Sequence, residues 1–245
     1  MHRFACTVLA IVLLLTTAAG QVLPDSTLWT DSIIYSSSNP TPEKIITTLS
    51  SITRNNPAVE WKVIDGQDYV KMSSYKSSSS AARYENGANG FYNTQQWPIW
   101  VSIAGEVQGF CQSLKGKDRR NIEDRMQAYL GLLPKSSNSM WVEFWVRPQD
   151  LFRPCPDNDI TDNSCDLCLP ENVEPWYREW FNQTRAHQYG GDAYNGYRGY
   201  PWTQLGYTYD WWSTADDRIG GSEFVIKANA NIVVIDRQPT KQYCK

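Results

Sequence analysis

Glu143 is the acidic residue whose sequence neighbours most favour acid–base chemistry. The alternation of side chains along a strand would place it on one face between Trp141 and Trp145. If the rest of the protein buries that face, the loss of water favours the protonated form of Glu143. The residue could then act as a general acid. The competing interpretation is an ion pair with Arg147 or Arg153 that orders a sheet. We favour this second interpretation.

Two further acids have unusual surroundings. Glu223 follows Gly220-Gly-Ser222, and Asp210 directly precedes a pair of tryptophans. Two carboxyl groups that face each other across a cleft can hydrolyse a glycosidic bond. The sequence therefore offers Glu143 and Glu223 as candidate catalytic residues of a secreted enzyme. It contains no complete nucleophile-elbow or phosphate-loop motif, and no cofactor is predicted.

The residues around Glu223 resemble the closing hairpin of the ADP-ribosyltransferase fold. They read Gly221-Ser-Glu-Phe-Val-Ile226, a short turn, and Ile232-Val-Val-Ile235. In that family a glutamate at the start of the strand meets the NAD ribose, so the resemblance implies this role for Glu223. The family's arginine strand and Ser-Thr-Ser step have no clear counterpart, although residues 34–38, Ile-Tyr-Ser-Ser-Ser, are suggestive.

Aromatic residues are abundant, with 11 tryptophans and 14 tyrosines. A Gly- and Tyr-rich stretch from residue 189 onward is typical of a loop, and such loops suit adaptable recognition of a ligand. We therefore take Tyr197, Trp202, Trp211 and Trp212 as candidate contacts for a carbohydrate or a protein. The alternative is that these side chains only pack in the core, and it is the interpretation we favour.

Five cysteines follow residue 20, and their number is odd. We expect one local bridge from Cys155 to Cys165 or Cys168 and one long-range bridge between Cys111 and Cys244. The remaining thiol would be free or would link a second chain into a dimer. A zinc site would need a second ligand pair that the sequence lacks, so no metal is predicted. A loose calcium site in the Asp- and Asn-rich stretch 156–164 stays an alternative.

The N-terminus has the layout of a secretory signal peptide. A basic start, Met1-His-Arg3, precedes the apolar run Val8–Leu15 and the small residues Ala18-Ala-Gly20. We expect residues 1–20 to be removed and residues 21–245 to be extracellular. The apolar run is too short to span a bilayer, and no later run is long enough.

Asn182-Gln-Thr184 is the only full N-glycosylation sequon after residue 20. A helical wheel that starts at Trp176 places Asn182 on the outward face and His187 on the apolar side. The sequence therefore predicts a glycan on Asn182. A packed His187 is the expectation for the lone histidine of residues 21–245.

Charge excludes one class of partner. The chain has 23 Lys and Arg against 26 Asp and Glu, a net charge of −3. A nucleic-acid-binding protein should show a basic patch or stripe, and no such cluster is present. The favoured function is therefore a non-catalytic extracellular binding or matrix protein, and the alternative is the secreted enzyme that uses Glu143 or Glu223.

Helical and strand patterns alternate without a regular βαβ rhythm. They predict an α+β fold in one domain, 21–245, with a mixed or antiparallel sheet, about three helices and stabilising disulfides. The predicted segments are a helix from Thr41 to Ile52, strands 61–64 and 69–72, a flexible surface loop 73–89, a strand 97–103, a helix 118–133, a strand 141–147, a helix from Pro175, and a final β-hairpin 223–227 with 232–235.

Overall fold

The computed structural model describes residues 33–35, 37–190, 199–213 and 218–245. The fold class is α+β, as the sequence predicts, and every strand pairing is antiparallel. The strands are β1 (Trp61–Ile64), β2 (Gln67–Ser77), β3 (Tyr92–Asn93), β4 (Ile99–Ile103), β5 (Asn138–Val146), β6 (Leu151–Phe152), β7 (Tyr207–Tyr209), β8 (Ile219–Ser222), β9 (Phe224–Ile226) and β10 (Asn231–Pro239).

Eight of these strands form one sheet in the order β3-β10-β5-β2-β4-β9-β6, with β1 added beside β2. The other two, β7 and β8, form a separate ribbon. Strands β2 and β5 pair over most of their length, whereas β2 and β4 are joined only through Met72–Ile103 and Ser73–Ser102. Beyond Ser73 the two strands separate, and the sheet is split between its β2 half and its β4 half.

Most helices cover one face of this sheet, whereas Ala81 of the first short helix joins the apolar cluster on the other face. The helices are α1 (Ser78–Ala81), α2 (Ala104–Ser113), α3 (Gly116–Arg120), α4 (Ile122–Tyr129), α5 (Pro175–Gly190) and α6 (Thr240–Tyr243), with 3-10 turns at Pro42–Lys44 and Pro148–Asp150. The helix predicted over 118–133 is two helices, α3 and α4, because the backbone leaves helical geometry at Asn121.

The apolar core lies on both faces of the sheet. On one face β2 and β5 contribute Val70, Met72, Phe144 and Val146 to the largest cluster. On the other face Tyr75 and its strand partner belong to a cluster with α2, α4 and α6. Helix α5 packs over β6 and β9 through a third, aromatic cluster. Strand β5 is consequently buried on both sides, which explains its nearly continuous apolar sequence.

Both predicted disulfide bridges are confirmed. Cys111 of α2 is joined to Cys244, which fixes the C-terminal helix against the second cluster. Cys155 pairs with Cys165 and closes the 155–165 loop. No free cysteine is found in the described part of the chain, so the leftover thiol expected from the odd count is not found there.

The helix predicted from Thr41 to Ile52 is wrong. Only Pro42–Lys44 forms a 3-10 turn, and the backbone is already extended at Ile45. Leu49 and Ile52 instead donate backbone hydrogen bonds to residues 163 and 160, at 3.0 and 2.7 Å. These bonds to a neighbouring segment replace the bonds within a helix, while the apolar side chains still reach the core.

The flexible loop predicted over 73–89 is also wrong in its first half. Residues 73–77 complete the central strand β2, and Ser73, Ser74 and Tyr75 are buried there. The Ser77 hydroxyl then accepts a hydrogen bond from the Ser80 backbone and caps α1. The low apolar content of these residues predicted a loop. Serines occupy a central strand here because this part of β2 borders a cavity.

The final β-hairpin is the third correction. Strand β9 lies between β4 and β6, whereas β10 lies between β3 and β5, so these two strands do not pair. The residues that connect them are held by Thr94, whose hydroxyl donates to the Lys227 carbonyl and accepts from the Ala230 amide, at 2.8 and 2.9 Å. The chain therefore crosses from one half of the split sheet to the other.

Candidate ligand-binding cavity at the split of the sheet

A cavity of about 350 Å³ lies where β2 and β4 separate. Its walls come from both strands, from residues 130–132 after α4, from the end of α5 and from residues 200–202. The lining residues are Ser73, Ser74, Tyr75, Lys76, Trp100, Val101, Ser102, Leu130, Gly131, Leu132, Asn138, Trp141, Gln188, Tyr200, Pro201, Trp202, Thr208 and Glu223. This volume is in the range of small-molecule sites.

Strand register places three polar residues in one row at the closed end of the cavity. Ser73 pairs with Ser102, and continuing the pairing of Val101 with Phe224 by one residue brings Glu223 to the level of Ser102. Paired residues of an antiparallel sheet lie on the same face. Ser73, Ser102 and Glu223 therefore face the space between the helices that cover the two halves of the sheet.

Aromatic side chains form the walls around this row. Trp202 lies 5.9 Å from Trp100, in an edge-to-face arrangement. Trp141 is stacked between Tyr75 and Tyr243, with ring centroids at 4.7 and 4.6 Å. These stacks fix the direction of the Trp141 indole N–H, because the ring is held on both faces.

Four polar atoms of the lining residues are buried and make no hydrogen bond of full geometry within the described residues, although the Trp202 N–H lies near the Glu223 carboxyl and the Ser73 hydroxyl lies near that of Tyr243. They are Ser73 Oγ, Trp141 Nε1, Trp202 Nε1 and Glu223 Oε1. A buried polar atom without a partner costs about 1–3 kcal/mol, so native structures rarely keep several of them together. The set leaves hydrogen-bond donors and acceptors without full partners in the wall of the cavity.

Glu223 is the titratable group at the closed end. Its backbone N–H donates to the Gly206 carbonyl at 3.0 Å, which fixes the residue between β8 and β9. Burial raises the pKa of the Glu223 carboxyl well above its ordinary value of 4.5, and the nearby Trp202 N–H and Arg153 charge only partly oppose this. This shift favours the protonated form of the carboxyl, which both donates and accepts a hydrogen bond.

Lys76 lies at the open end of the cavity. It is three residues beyond Ser73 on β2, which corresponds to about 10 Å along the strand. The residue is half-buried, and burial lowers the pKa of Lys76 to about 8. Its side chain makes no ion pair with any residue of the described chain.

Glu143 does not line the cavity. It is buried on the same face of β5 as Trp141 and Trp145, as strand alternation predicts, and it forms an ion pair with Lys71 at 3.1 Å. The sequence predicted an arginine as the partner. Arg147 instead pairs with Asp150, at 2.7 Å.

Arg153, the other predicted partner of Glu143, is completely buried and donates to backbone carbonyls, among them those of Ser50 and Asp159. It also lies 3.8 Å from the Asp162 carboxylate. The structure therefore does not bring Glu143 and Glu223 together as a catalytic pair.

Asp210 is committed to a buried ion pair. Both of its oxygens accept hydrogen bonds from the Arg125 guanidinium, at 3.0 and 2.6 Å. One oxygen also accepts from the backbone N–H groups of Trp212 and Ser213. This carboxylate organises the turn after β7.

Of the three selected aromatic residues that the structure describes, only Trp202 lines the cavity. Trp211 is buried and donates its indole N–H to the Leu132 carbonyl at 2.7 Å. Trp212 is half-buried, with the Lys117 ammonium 5.5 Å from its ring. Tyr197 lies outside the described residues.

Helix α5 carries the sequon on its outer surface. Asn182 is exposed, as the helical wheel predicts. Tyr177 and Phe181 are buried, but Trp176 is 41% exposed and His187 is exposed. The buried face is therefore centred nearer Tyr177 than the wheel placed it, and the expectation that His187 packs on the apolar side is wrong.

A second group of possible ligand atoms, Cys155, Asp157 and Cys165, lies in the closed loop. Both sulfurs are joined in the disulfide, so they offer no thiolate to a metal. None of the helices in the described ranges is long and apolar enough to cross a bilayer.

Comparisons with protein-family models, with curated proteins and with solved structures found no match to this chain. The cavity is therefore the feature from which a function can be inferred. The resemblance to an ADP-ribosyltransferase hairpin keeps one feature, a glutamate directly before β9, and loses the pairing of the two strands.

Sequence reasoning missed Ser73, Ser102 and Lys76 as cavity residues. Ser73 and Lys76 were assigned to a surface loop, and Ser102 stood in a strand without a chemical signal. Alternation over Tyr69–Ser77 could have extended β2, since Tyr69, Lys71, Ser73 and Tyr75 share a face. The separation of β2 from β4 creates the cavity, and it leaves no signal in the local sequence.

Proposed function

We propose that this protein is a secreted, non-catalytic binding protein that takes one saccharide unit into the cavity beside Glu223. The observation that carries the proposal is the set of four unpartnered buried atoms in the lining of one cavity. Sugar hydroxyl groups both donate and accept hydrogen bonds, so they can satisfy an indole N–H and a neutral carboxyl together.

The size and the walls of the cavity support a sugar ring. Tryptophan side chains present apolar faces and N–H edges, which suits a ring with both C–H and O–H groups. A ligand that satisfies polar atoms in a preformed cavity loses little affinity to rearrangement of the protein. Secretion is supported by the two disulfides, since such bridges form in oxidising compartments.

The proposal is tested by quenching of tryptophan fluorescence with a panel of mono- and disaccharides. We expect saturable quenching by some members of the panel. Glu223→Leu keeps the approximate size of the side chain but removes both the hydrogen-bond donor and the acceptor. It should weaken the binding about tenfold or more, because the sugar hydroxyl groups lose their partner at this position.

The exposed Glu171 provides a matched control, since it lies outside the cavity. Glu171→Leu should bind as the unchanged protein does. Trp202→Phe keeps an aromatic ring but removes the N–H group, and it should weaken binding in the same direction. Absence of quenching by every sugar, or equal binding by the Glu223→Leu variant, would remove the proposal.

A second candidate function is an enzyme in which Glu223 donates a proton during cleavage of a bond at a sugar's anomeric carbon. The raised pKa of Glu223 favours this candidate, because general acids need a proton at working pH. The usual glycosidase mechanism needs two carboxyl groups, and Glu223 is the single one among the described lining residues. Turnover of aryl glycosides or NAD that Glu223→Gln abolishes would favour the enzyme over the binding protein.

A further inference from the structure

Lys76 is the one cationic residue among the described residues that line the cavity. It lies at the open end, on the strand that also provides Ser73 at the closed end. Its surroundings differ from those of Lys71 on the same strand. Lys71 is held by two carboxylates, Glu143 at 3.1 Å and Glu60 at 3.5 Å. Lys76 has no such partner in the described chain.

A half-buried ammonium without a counter-ion is an unfavourable arrangement, because burial removes water that stabilises the charge. The pKa of Lys76 is lowered for this reason. Glu223, the acid among the described lining residues, compensates little, because burial favours the neutral form of its carboxyl. Among the described lining residues, Lys76 therefore has no carboxylate that balances its positive charge.

We infer that the ligand carries a carboxylate that pairs with Lys76, so that the ligand class is an acidic sugar such as a uronic acid. This inference rests on the proposed function, because it assumes that the same cavity takes a saccharide. The hydroxyl groups of the ring contact the row of Ser73 and Glu223 at the closed end. The carboxylate on the exocyclic carbon lies at the open end, where the flexible lysine side chain meets it.

A single negative charge fits the site better than a phosphate does. Sites for phosphate generally combine several donors or cations, since that group carries nearly two charges at neutral pH. The lining provides one lysine, and the side-chain amide of the nearby Asn138 already donates to the Tyr75 carbonyl at 3.1 Å. The single ammonium group of Lys76 therefore matches a ligand that carries a single carboxylate.

The experiment compares sugars that differ only in this carboxylate. D-glucose is measured against D-glucuronate, and D-galactose against D-galacturonate, by fluorescence titration and calorimetry at pH 7 on the full secreted protein. We expect the acid to bind about tenfold more tightly than its neutral counterpart, which corresponds to about 1.4 kcal/mol.

Variants at Lys76 test whether this residue causes the preference for the acidic sugar. Lys76→Gln should bring the ratio of acid to neutral affinity close to one and leave the affinity for the neutral sugar unchanged. Lys76→Arg keeps the positive charge and should keep a preference for the acid. Lys241→Gln removes an exposed charge at a residue that does not line the cavity, and it serves as the matched control.

Each result has a separate meaning. Equal binding of acidic and neutral sugars by the unchanged protein overturns the inference and leaves the proposed function intact. A preference that persists in Lys76→Gln also overturns it, because the charge would then be recognised elsewhere. Absence of binding by all four sugars overturns the proposed function and this inference together.

Discussion

Three buried acids in this chain show how surroundings decide the role of a carboxyl group. Asp210 accepts two hydrogen bonds from Arg125, and Glu143 is paired with Lys71. Glu223 is as deeply buried, but no cation contacts it directly, and one of its oxygens has no partner. Removing one partner of a buried pair costs about 3–5 kcal/mol, because the other charge is then left buried and unpaired. Of the three acids, Glu223 is the one that lines the cavity.

The raised pKa of Glu223 predicts a specific dependence of stability on pH. Below pH 4.5 the carboxyl is protonated in both the folded and the unfolded chain. As pH rises above 4.5, the unfolded chain loses this proton while the folded chain keeps it, so the free energy of unfolding falls. The loss is about 1.4 kcal/mol per pH unit until the folded-state pKa is reached.

The Glu223→Gln variant lacks the titratable carboxyl group that causes this dependence of stability on pH. We expect its free energy of unfolding to match that of the unchanged protein near pH 4 and to exceed it increasingly at pH 6 to 8. Urea denaturation of both proteins across this range measures the difference. Parallel curves for the two proteins would show that Glu223 is ionised in the folded state. Glu171→Gln should give a parallel curve, because Glu171 is exposed.

At the scale of the elements, the split between β2 and β4 creates the cavity. The two strands share only two pairs of partners before they diverge, and different helices cover the two halves. The closed end depends on Glu223, whose backbone is held by the carbonyl of Gly206. That contact needs a glycine, since Gly206 has a φ of +75° and a Cβ there would lie 2.7 Å from the Cys165 sulfur.

Gly206→Ala should therefore destabilise the protein by about 2–3 kcal/mol, through backbone strain together with overlap at the disulfide. Gly66→Ala is the matched control, because Gly66 has the same φ of +75° and open space around it. It should cost only the strain, about 1 kcal/mol. Equal losses for both variants, measured by thermal and urea denaturation, would contradict the close packing behind Glu223.

Local patterns predicted much of the fold but not the site. Strand β5 and the pair β1–β2 follow from alternating apolar residues with a short turn, and α5 follows from its proline start and aromatic face. The position of β9 depends on its pairing with β4, more than 120 residues earlier in the chain. Such distant pairings leave no periodic signal, so the separation of β9 from β10 and the cavity between the two halves were not predictable.

Local sequence patterns also gave wrong predictions in two places. Serine-rich residues 73–77 resembled a loop, although they form the floor of the cavity in a central strand. Apolar residues near Leu49 followed a helical spacing, although their backbone bonds go to the closed 155–165 loop. In both cases a partner segment determined the structure, because it supplied the hydrogen bonds that a local element would otherwise make.

At the scale of the whole molecule, two disulfides between described residues tie separate regions of the fold together. The bridge from Cys111 to Cys244 ties α2 to the C-terminus, across 133 residues of sequence. The bridge from Cys155 to Cys165 packs against Leu205 and Tyr207, next to Gly206. Loss of a native bridge typically costs about 2–5 kcal/mol, and the loss should be larger for the separation of 133 residues than for that of 10.

Intact mass spectrometry tests the extracellular proposal. We expect the protein secreted from eukaryotic cells to begin at Gln21 and to carry one N-linked glycan. Asn182→Gln should remove the glycan without loss of secretion, since Asn182 is exposed and makes no core contact. A chain that retains Met1, or one whose four bridged cysteines are reduced, would contradict secretion.

The central claim is that a saccharide binds in the split of the sheet. Its most direct test is a titration followed through the tryptophan indole N–H signals in a ¹H–¹⁵N NMR spectrum, with D-glucose, D-galactose and their two uronates. We predict that the signals of Trp202 and Trp141 shift and saturate, since their N–H groups lack partners in the cavity. The exposed Trp97 and Trp176 should not respond. Shifts confined to Trp97 or Trp176, or no shift at all, would contradict the account.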